Sequence, residues 1–311
     1  MSALPDFLKT PGWKDATREA LTGDASPRSY FRLRAEKGTA ILMDASRACG
    51  TVAPFIQIAE HLDGLGLSAP NILRRDVNNG FLLLEDFGDE TFSRLLDKGF
   101  SAEELFTLGT DVLISLHKRP NAVPHGLRSY SPQAMLGDAE LYLSVHGISG
   151  KGEGEFRNAW NEILPVAHEV PASLLLRDYH VANLMLLNTR EGVRRVGLLD
   201  FQDAYQGPVT YDLVSLLEDA RRDLPAGLKE KMVARYLDEF PGMDRAQFKT
   251  SMAILSALRH TRVLAVFEKL SRDGKPDYKK LHSPRVERLL REALQHPKLA
   301  GLKDWFARYA Q

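Results

Sequence analysis

At 311 residues, with 44% hydrophobic and 26% charged side chains, the chain can build a sizeable soluble core and divide into two domains. Lys+Arg and Asp+Glu balance at 41 each, so no net field points to nucleic acid or an acidic membrane, and the single Cys49 excludes a disulfide framework or a cysteine-rich zinc site. Pro5, Asp6, Pro11 and Asp15 stand where a signal peptide needs a basic start and an apolar run, and no apolar stretch approaches the ~20 residues of a membrane span, so a cytoplasmic protein is expected.

Residues 28–34 alternate, with Phe31 and Leu33 on one face and Arg28, Tyr30, Arg32 and Arg34 on the other, which predicts a strand. Residues 39–43 predict a second strand after the turn Glu36-Lys37-Gly38. Between Thr51 and Leu65, the residues Val52, Phe55, Ile56, Ala59 and Leu62 recur at helical spacing. Ile72-Leu73 and Phe81–Leu84 flank Asn78-Asn79-Gly80, a hairpin signal. Beyond Asp89 the pattern turns helical. Ser101 opens a capping-box-like start to a helix ending near His117, with further helices expected near 132–145, 153–168, 211–220, 226–238, 245–270, 284–295 and 301–309. Short apolar runs at 174–176, 184–187 and 195–199 interrupt them. The expected plan is a small β-rich lobe, residues 1–88, followed by a larger helical lobe, residues 89–311.

The chemistry concentrates in Asp178, in Asn183 five positions later, and in Asp200 at the end of the apolar run Val196–Leu199. Phosphoryl transfer needs an oriented acceptor hydroxyl and neutralised phosphate charge. A carboxylate on a loop suits the first task; an amide oxygen and a second carboxylate suit magnesium on ATP phosphates. Each residue also has a plain reading: Asp178 as the ion-pair partner of Arg177, Asn183 as a turn residue, Asp200 as the turn after a strand. Together, in this order, they favour a kinase. Asp86-Phe87-Gly88 resembles a metal motif but precedes Asp178, whereas such a motif should follow the catalytic loop. It reads instead as a connector between lobes, where backbone groups of Glu85 and Phe87 can meet an adenine edge and Leu83 and Leu84 can wall it. The competing reading is an ordinary linker. Gly23, Ser26 and Arg28, in a turn before the first strong strand, can approach phosphate oxygens; a surface turn is the alternative.

These strings resemble the aminoglycoside phosphotransferase/choline kinase-like superfamily, whose members have an α+β, protein-kinase-like bilobal fold. GDASPRSYFRL, ILMDAS, FLLLEDFGD, RDYHVANLM, GLLDFQDA and YDLVSLLEDARRD look most like bacterial anomeric sugar kinases that phosphorylate N-acetylmuramate and N-acetylglucosamine in cell-wall recycling. The resemblance implies ATP and Mg²⁺ as cofactors, bound at the lobe junction. It also implies Asp178 as the catalytic residue, Asn183 and Asp200 as metal ligands, and Asp212 as a support for the catalytic loop from a helix start. The implied partner is a small sugar acceptor, with no nucleic acid and no membrane; nothing fixes the oligomeric state, and a monomer is favoured.

Two positions depart from the family pattern. Leu176 stands where a histidine is usual, and Ala40–Asp44 lacks the phosphate-gripping lysine of the third strand. Arg32 is expected to supply that charge. The gap leaves open a catalytically weak nucleotide-binding pseudokinase, beside an aminoglycoside- or choline-type phosphotransferase. His180, Gln202, Asp203, Arg221 and Arg222 are further candidates for acceptor contacts, with Arg221 and Arg222 suited to a sugar carboxylate. Glu218 and Arg222 stand at helical spacing for an ion pair, and His117 reads as a packed core histidine.

Overall fold

The computed structural model describes residues 7–9, 12–21 and 28–310. Its elements divide into two compact units, Met1–Phe100 with Ala182–Ala204, and Ser101–Val181 with Tyr205–Gln311. The sequence reading kept residues 89–311 together; here residues 89–100 and one hairpin go with the first unit. Strands β7 (Leu184–Leu186) and β8 (Val196–Leu198) are sewn to the first unit by three bonds. Leu198 N–H donates to Ser68 O at 2.7 Å, Ser68 Oγ donates to Arg194 O at 2.7 Å, and Leu186 N–H donates to Glu90 O at 2.9 Å.

The first unit is built on a five-stranded antiparallel sheet in the order β1-β2-β3-β5-β4. Its strands are β1 (Thr17–Leu21), β2 (Ser29–Ala35), β3 (Gly38–Asp44), β4 (Ile72–Asp76) and β5 (Phe81–Glu85). The β4–β5 hairpin turns through Gly80 at φ +80°, where a side chain would stand 2.8 Å from the Ala45 carbonyl carbon, so glycine is required twice over. Leu33, Ala40, Leu42, Phe81 and Leu83 pack with Phe7 and Trp13 on one face of the sheet. Helix α1 (Val52–Gly64) buries the periodic positions Val52, Phe55, Ile56, Ala59 and Leu62, and α2 (Phe92–Asp97) is capped by Thr91. β1 and α2 had no counterpart in the sequence reading, and β1 is exposed along nearly its whole length, so it carries no apolar alternation.

The second unit is helical. α3 (Ala102–His117) starts at the expected cap, Ser101 Oγ accepting the Glu104 amide. α4 (Pro132–His146) ends on Gly147 at φ +66°, and α5 (Lys151–Ile163) is followed by a 3₁₀ turn over Val166–His168. The remaining helices are α6 (Thr210–Leu217), α7 (Leu228–Asp238), α8 (Arg245–Arg272), α9 (Pro276–Ala293) and α10 (Ala300–Tyr309). α9 begins eight residues before the expected Pro284, which the helix absorbs on an exposed face. Ile254, Leu255, Ala257 and Leu258 of α8 anchor a core with Phe156, Trp160, Tyr211 and Trp305. β6 (Ala172–Leu175) and β9 (Tyr205–Pro208) form a short antiparallel pair beside it. Among the described residues no helix is long and apolar enough to cross a membrane.

Candidate active site

In the second unit, buried β6 delivers the chain to Leu176-Arg177-Asp178. Arg177 adopts φ +71°, a left-handed backbone that costs a non-glycine residue roughly 1–2 kcal/mol. Three partners hold it there. Asp212, fully buried in the first turn of α6, accepts the Leu176 amide at 2.6 Å and the Arg177 amide at 2.9 Å. The Arg177 carbonyl accepts from Arg259 Nη1 at 3.3 Å, and the Arg177 guanidinium lies 2.6 Å from Asp138. Asp138, rather than the adjacent Asp178, is thus the ion-pair partner of Arg177. Tyr179 pins the far side of the loop, its buried hydroxyl donating to Gly109 O at 2.7 Å. Asp178 itself stays partly exposed on a backbone fixed from both flanks.

Burial pushes the Asp212 carboxyl up to about 7, against the opposing pull of the Leu176 and Arg177 amides and Arg259. Burial likewise pushes His180 down to about 4; Asp219 opposes that shift, and Arg259 and Arg221 reinforce it. His180 is therefore a neutral imidazole at neutral pH. Glu218 is not in a helix with Arg222, because α6 ends at Leu217. It is buried and bonded to Lys229, His260 and Ser256; burial pushes it up, but His260 and Lys229 outweigh that and hold it at about 2. His117 sits against the Tyr236 hydroxyl at 2.7 Å, and burial lowers it to about 3, as a packed histidine should behave.

In the first unit, Asn183 and Asp200 flank the β7–β8 hairpin at its open end, where Leu199 N–H donates to Asn183 O at 3.0 Å. Asp200 is the second non-glycine residue with left-handed backbone, at φ +57°. Its carboxylate is 45% exposed, lies 3.4 Å from Arg28 Nη2, and accepts from Gln202 Nε2 at 2.8 Å. Gln202 is buried and its amide nitrogen is spent on Asp200 and Asp203, so it orients the carboxylate rather than reaching outward. Asp203 is exposed. An amide side chain and an exposed carboxylate on residues at one end of a hairpin are hard donors suited to magnesium. Among the described residues no cluster of three His, Cys, Asp or Glu side chains could hold a metal, so phosphate and water oxygens would complete the shell.

Arg32 does not fill the place of the missing lysine. It is buried, with Nε 2.8 Å from Asp86, Nη1 2.9 Å from Asp89, and Nη2 donating to Asp86 and to Gly88 O. Its donors are committed to fixing the Asp86–Asp89 connector, a task that explains why an arginine is buried on the face of β2 opposite Leu33. Arg28 is the cation that reaches the Asp200 carboxylate. Gly23 and Ser26 lie outside the described residues.

On the connector, the Glu85 amide donates to Asn71 O at 2.8 Å and its carboxylate takes Asn71 and Arg190, so only its carbonyl is left for an adenine. The Phe87 amide has no partner among the described residues, and its ring rests on Gly197 under the Arg190 guanidinium at 5.2 Å. Leu83 and Leu84 are buried.

The sequence reading missed Asp138 and Arg259. Arg259-His260 directly after the run Ile254–Leu258 was the available signal for the latter, since charges in a buried helix are rarely idle.

Residues 17–248 match the phosphotransferase enzyme family. The N-acetylmuramate/N-acetylglucosamine kinase of Caulobacter vibrioides is 34% identical over 99% of this chain and 96% of its own length. The enzyme of the same name from Pseudomonas aeruginosa is 33% identical over 100% of this chain and 94% of its own. Among solved structures, a choline/ethanolamine kinase family protein from Mesorhizobium loti aligns with TM-score 0.67 at 16% identity, covering 96% of both chains. Choline kinase from Streptococcus pneumoniae aligns with TM-score 0.63 at 16% identity, covering 89% of this chain and 93% of its own. At that identity the structural likeness concerns the fold, which is α+β and kinase-like.

Proposed function

The chain belongs to the phosphotransferase enzyme family, and from that premise we propose that it is an ATP-dependent kinase acting on the anomeric hydroxyl of an N-acetylated amino sugar of the muramate or glucosamine type. The observation that carries the acceptor class is the full-length similarity to two kinases that bear those sugars in their names. Asp178, on a loop whose preceding peptide is clasped by Asp212, accepts the proton of the sugar hydroxyl. Asn183 and Asp200 hold Mg²⁺, which when bound neutralises charge on the ATP phosphates. Arg28 adds positive charge beside Asp200, the part usually given to the third-strand lysine. The unpaired Phe87 amide and the Glu85 carbonyl take the adenine edge, and His180 offers a neutral imidazole to the sugar.

An ATP-consumption screen over N-acetylmuramate, N-acetylglucosamine, aminoglycosides and choline tests this reading, with the sugar 1-phosphate identified as product. Turnover should be confined to the amino sugars, and Asp178→Asn should lower kcat by about 10³-fold or more. Turnover on choline or an aminoglycoside instead would reassign the acceptor. Tight ATP binding without turnover on any acceptor would mean a regulator, not a kinase.

A further inference from the structure

The Arg177 peptide, which leads directly into Asp178, is gripped from two helices. Asp212, on the first turn of α6, accepts the Arg177 amide, and Arg259, on α8, donates to the Arg177 carbonyl. The Asp178 amide donates to Leu176 O at 2.9 Å, so the loop closes tightly around that peptide. Both grips hold only while α6 and α8 keep a fixed offset. A helix advances about 1.5 Å per residue, so a slip of one residue along either axis would break one of the two bonds.

Buried polar ties at the two ends of α6 set that offset. At its start, Ser251 Oγ donates to Ala167 O at 2.8 Å and takes the Thr210 hydroxyl at 2.7 Å. At its end, the Glu218 amide closes the last turn on Val214 O at 2.9 Å. The Glu218 carboxylate crosses to α8, where Ser256 Oγ donates to Oε2 and His260 Nε2 donates to the same oxygen at 2.8 Å. The spans agree: Thr210 to Glu218 covers about 12 Å, and Ser256 and His260 lie about 7.5 and 13.5 Å beyond Ser251. The two helices therefore run the same way and cannot slide without breaking a tie. Lys229 of α7 takes the other oxygen at 2.6 Å, so the charge of Glu218 is balanced from outside the α6–α8 contact.

Stability alone is a poor reason for a carboxylate here, since a buried ion pair adds little over an apolar side chain of the same size. Its place in the chain supplies a better one. His260 directly follows Arg259, so the bond that fixes His260 fixes the backbone from which Arg259 reaches the Arg177 carbonyl. We infer that Glu218 is a positioning residue for phosphoryl transfer. It holds α8 to the end of α6, so that Asp212 and Arg259 grip one peptide together and Asp178 meets the acceptor hydroxyl at one angle. That role rests on Asp178 being the proton acceptor, as proposed above, and is independent of which acceptor is used. Glu218 touches no substrate; a misplacement of about 1 Å at the reacting group is worth up to about 10²-fold in rate.

The test is steady-state kinetics with ATP and the acceptor turned over in the screen above, with Tm recorded for each protein. The proteins are wild type, Glu218→Met, Glu218→Gln, Arg259→Met and the double variant Glu218→Met/Arg259→Met. Glu218→Met fills a similar volume without the bonds to α8, and should lower kcat about tenfold with KM within about twofold of wild type. Glu218→Gln keeps an oxygen for Ser256 and His260 and should recover most of that loss. Because Glu218 acts through Arg259, the double variant should be within about twofold of Arg259→Met alone. Losses that multiply in the double variant, no recovery in Glu218→Gln, or a lowered Tm at unchanged kcat would make Glu218 a packing residue and overturn the inference. If Glu218→Met does not fold, Ser256→Ala takes its place: it removes one of the two α8 donors and should lower kcat about threefold at unchanged KM, and an unchanged kcat overturns the inference equally. Wild-type protein without turnover, or Asp178→Asn as fast as wild type, fails earlier, at the kinase reading and its proton acceptor, and is distinguishable on that ground.

Discussion

Arg177 and Asp200 are the two non-glycine residues with left-handed backbone among the described residues, and they are held in opposite ways. Around Arg177 the amide is taken by Asp212, the carbonyl by Arg259, and the guanidinium by Asp138 and by the rings of Tyr130 and Tyr205 at 5.7 and 5.2 Å, with Nε buried and without an acceptor among the described residues. Asp200 has Gln202 and Arg28 on one oxygen and is nearly half exposed. Similar strain thus serves two ends. One site is over-determined so that the next residue, Asp178, points reproducibly; the other is left open so that its own carboxylate can bind something.

Glycine at each position separates the two cases most sharply. Asp200→Gly removes the strain together with the proposed metal ligand, so kcat should fall by about 10³-fold while stability rises by roughly 1 kcal/mol. Arg177→Gly removes the same strain, but leaves Asp138 short of its partner and the tyrosines without their cation. It should lower stability by roughly 2–3 kcal/mol, with a smaller loss in kcat. Thermal unfolding and steady-state kinetics on the two variants decide the matter; equal stability changes would erase the distinction.

The clasp itself is next. Asp212→Ala orphans two buried amides and should cost about 2–4 kcal/mol and about 10²-fold in kcat. Asp212→Asn gives a pH signature whose sign is fixed. The folded carboxyl is raised from 3.8 to about 7, so its contribution to stability is fully present below pH 3.8 and is lost as pH rises through 7. Asparagine does not titrate. Relative to wild type, Asp212→Asn should therefore gain roughly 3 kcal/mol in unfolding free energy between pH 4 and 8. His180 titrates in both proteins: its depressed value makes stability complete above pH 6.5 and declining toward about 4, and it cancels from the difference.

Arg259→Met should lower kcat about ten- to a hundredfold, since it frees the Arg177 carbonyl and withdraws the cation that faces Asp178, Asp212 and Asp219. With that cation gone Asp212 titrates higher, so the acid limb of the kcat profile should move to higher pH. Arg259→Lys should restore part of both. A fall in Tm with an unmoved pH profile would reduce Arg259 to a packing role.

How much of this was legible in the sequence follows the range of the forces involved. Asn183 and Asp200 were singled out together because only a short hairpin separates them, whereas Asp212 entered through the family resemblance alone. Most helix ends were equally local: Ser101, Ser131-Pro132 and Asp244 are caps whose bonds reach only two or three residues on. The partners of Arg32 stayed out of sight for the converse reason. Alternation placed Arg32 on the polar face of β2, but its partners Asp86 and Asp89 are more than fifty positions away, and ion pairing across that distance overrides the pattern. The partners of Asp138 and Arg259 likewise lie far along the chain. The return of β7–β8 to the first unit depends on Ser68, far upstream of both strands.

The smallest expected effect lies where the first unit would meet a nucleobase. A methyl group at Gly197 would stand 2.7 Å from Phe87 Cδ2 and 3.1 Å from Met185 Cβ. Met185 is on the paired strand and cannot retreat without breaking the β7–β8 register, so the Phe87 ring must move, and its amide with it. If that amide takes the adenine edge, Gly197→Ala should raise KM for ATP about three- to tenfold while kcat at saturation changes little, because Asp200 stays anchored by Gln202. Trimming the ring in Gly197→Ala/Phe87→Leu removes the clash and should return KM most of the way. A fall in kcat at unchanged KM would instead mean that the strain had travelled along β8 to Asp200. The exposed carboxylate would then be held more tightly by its strand than Arg28 and Gln202 alone suggest.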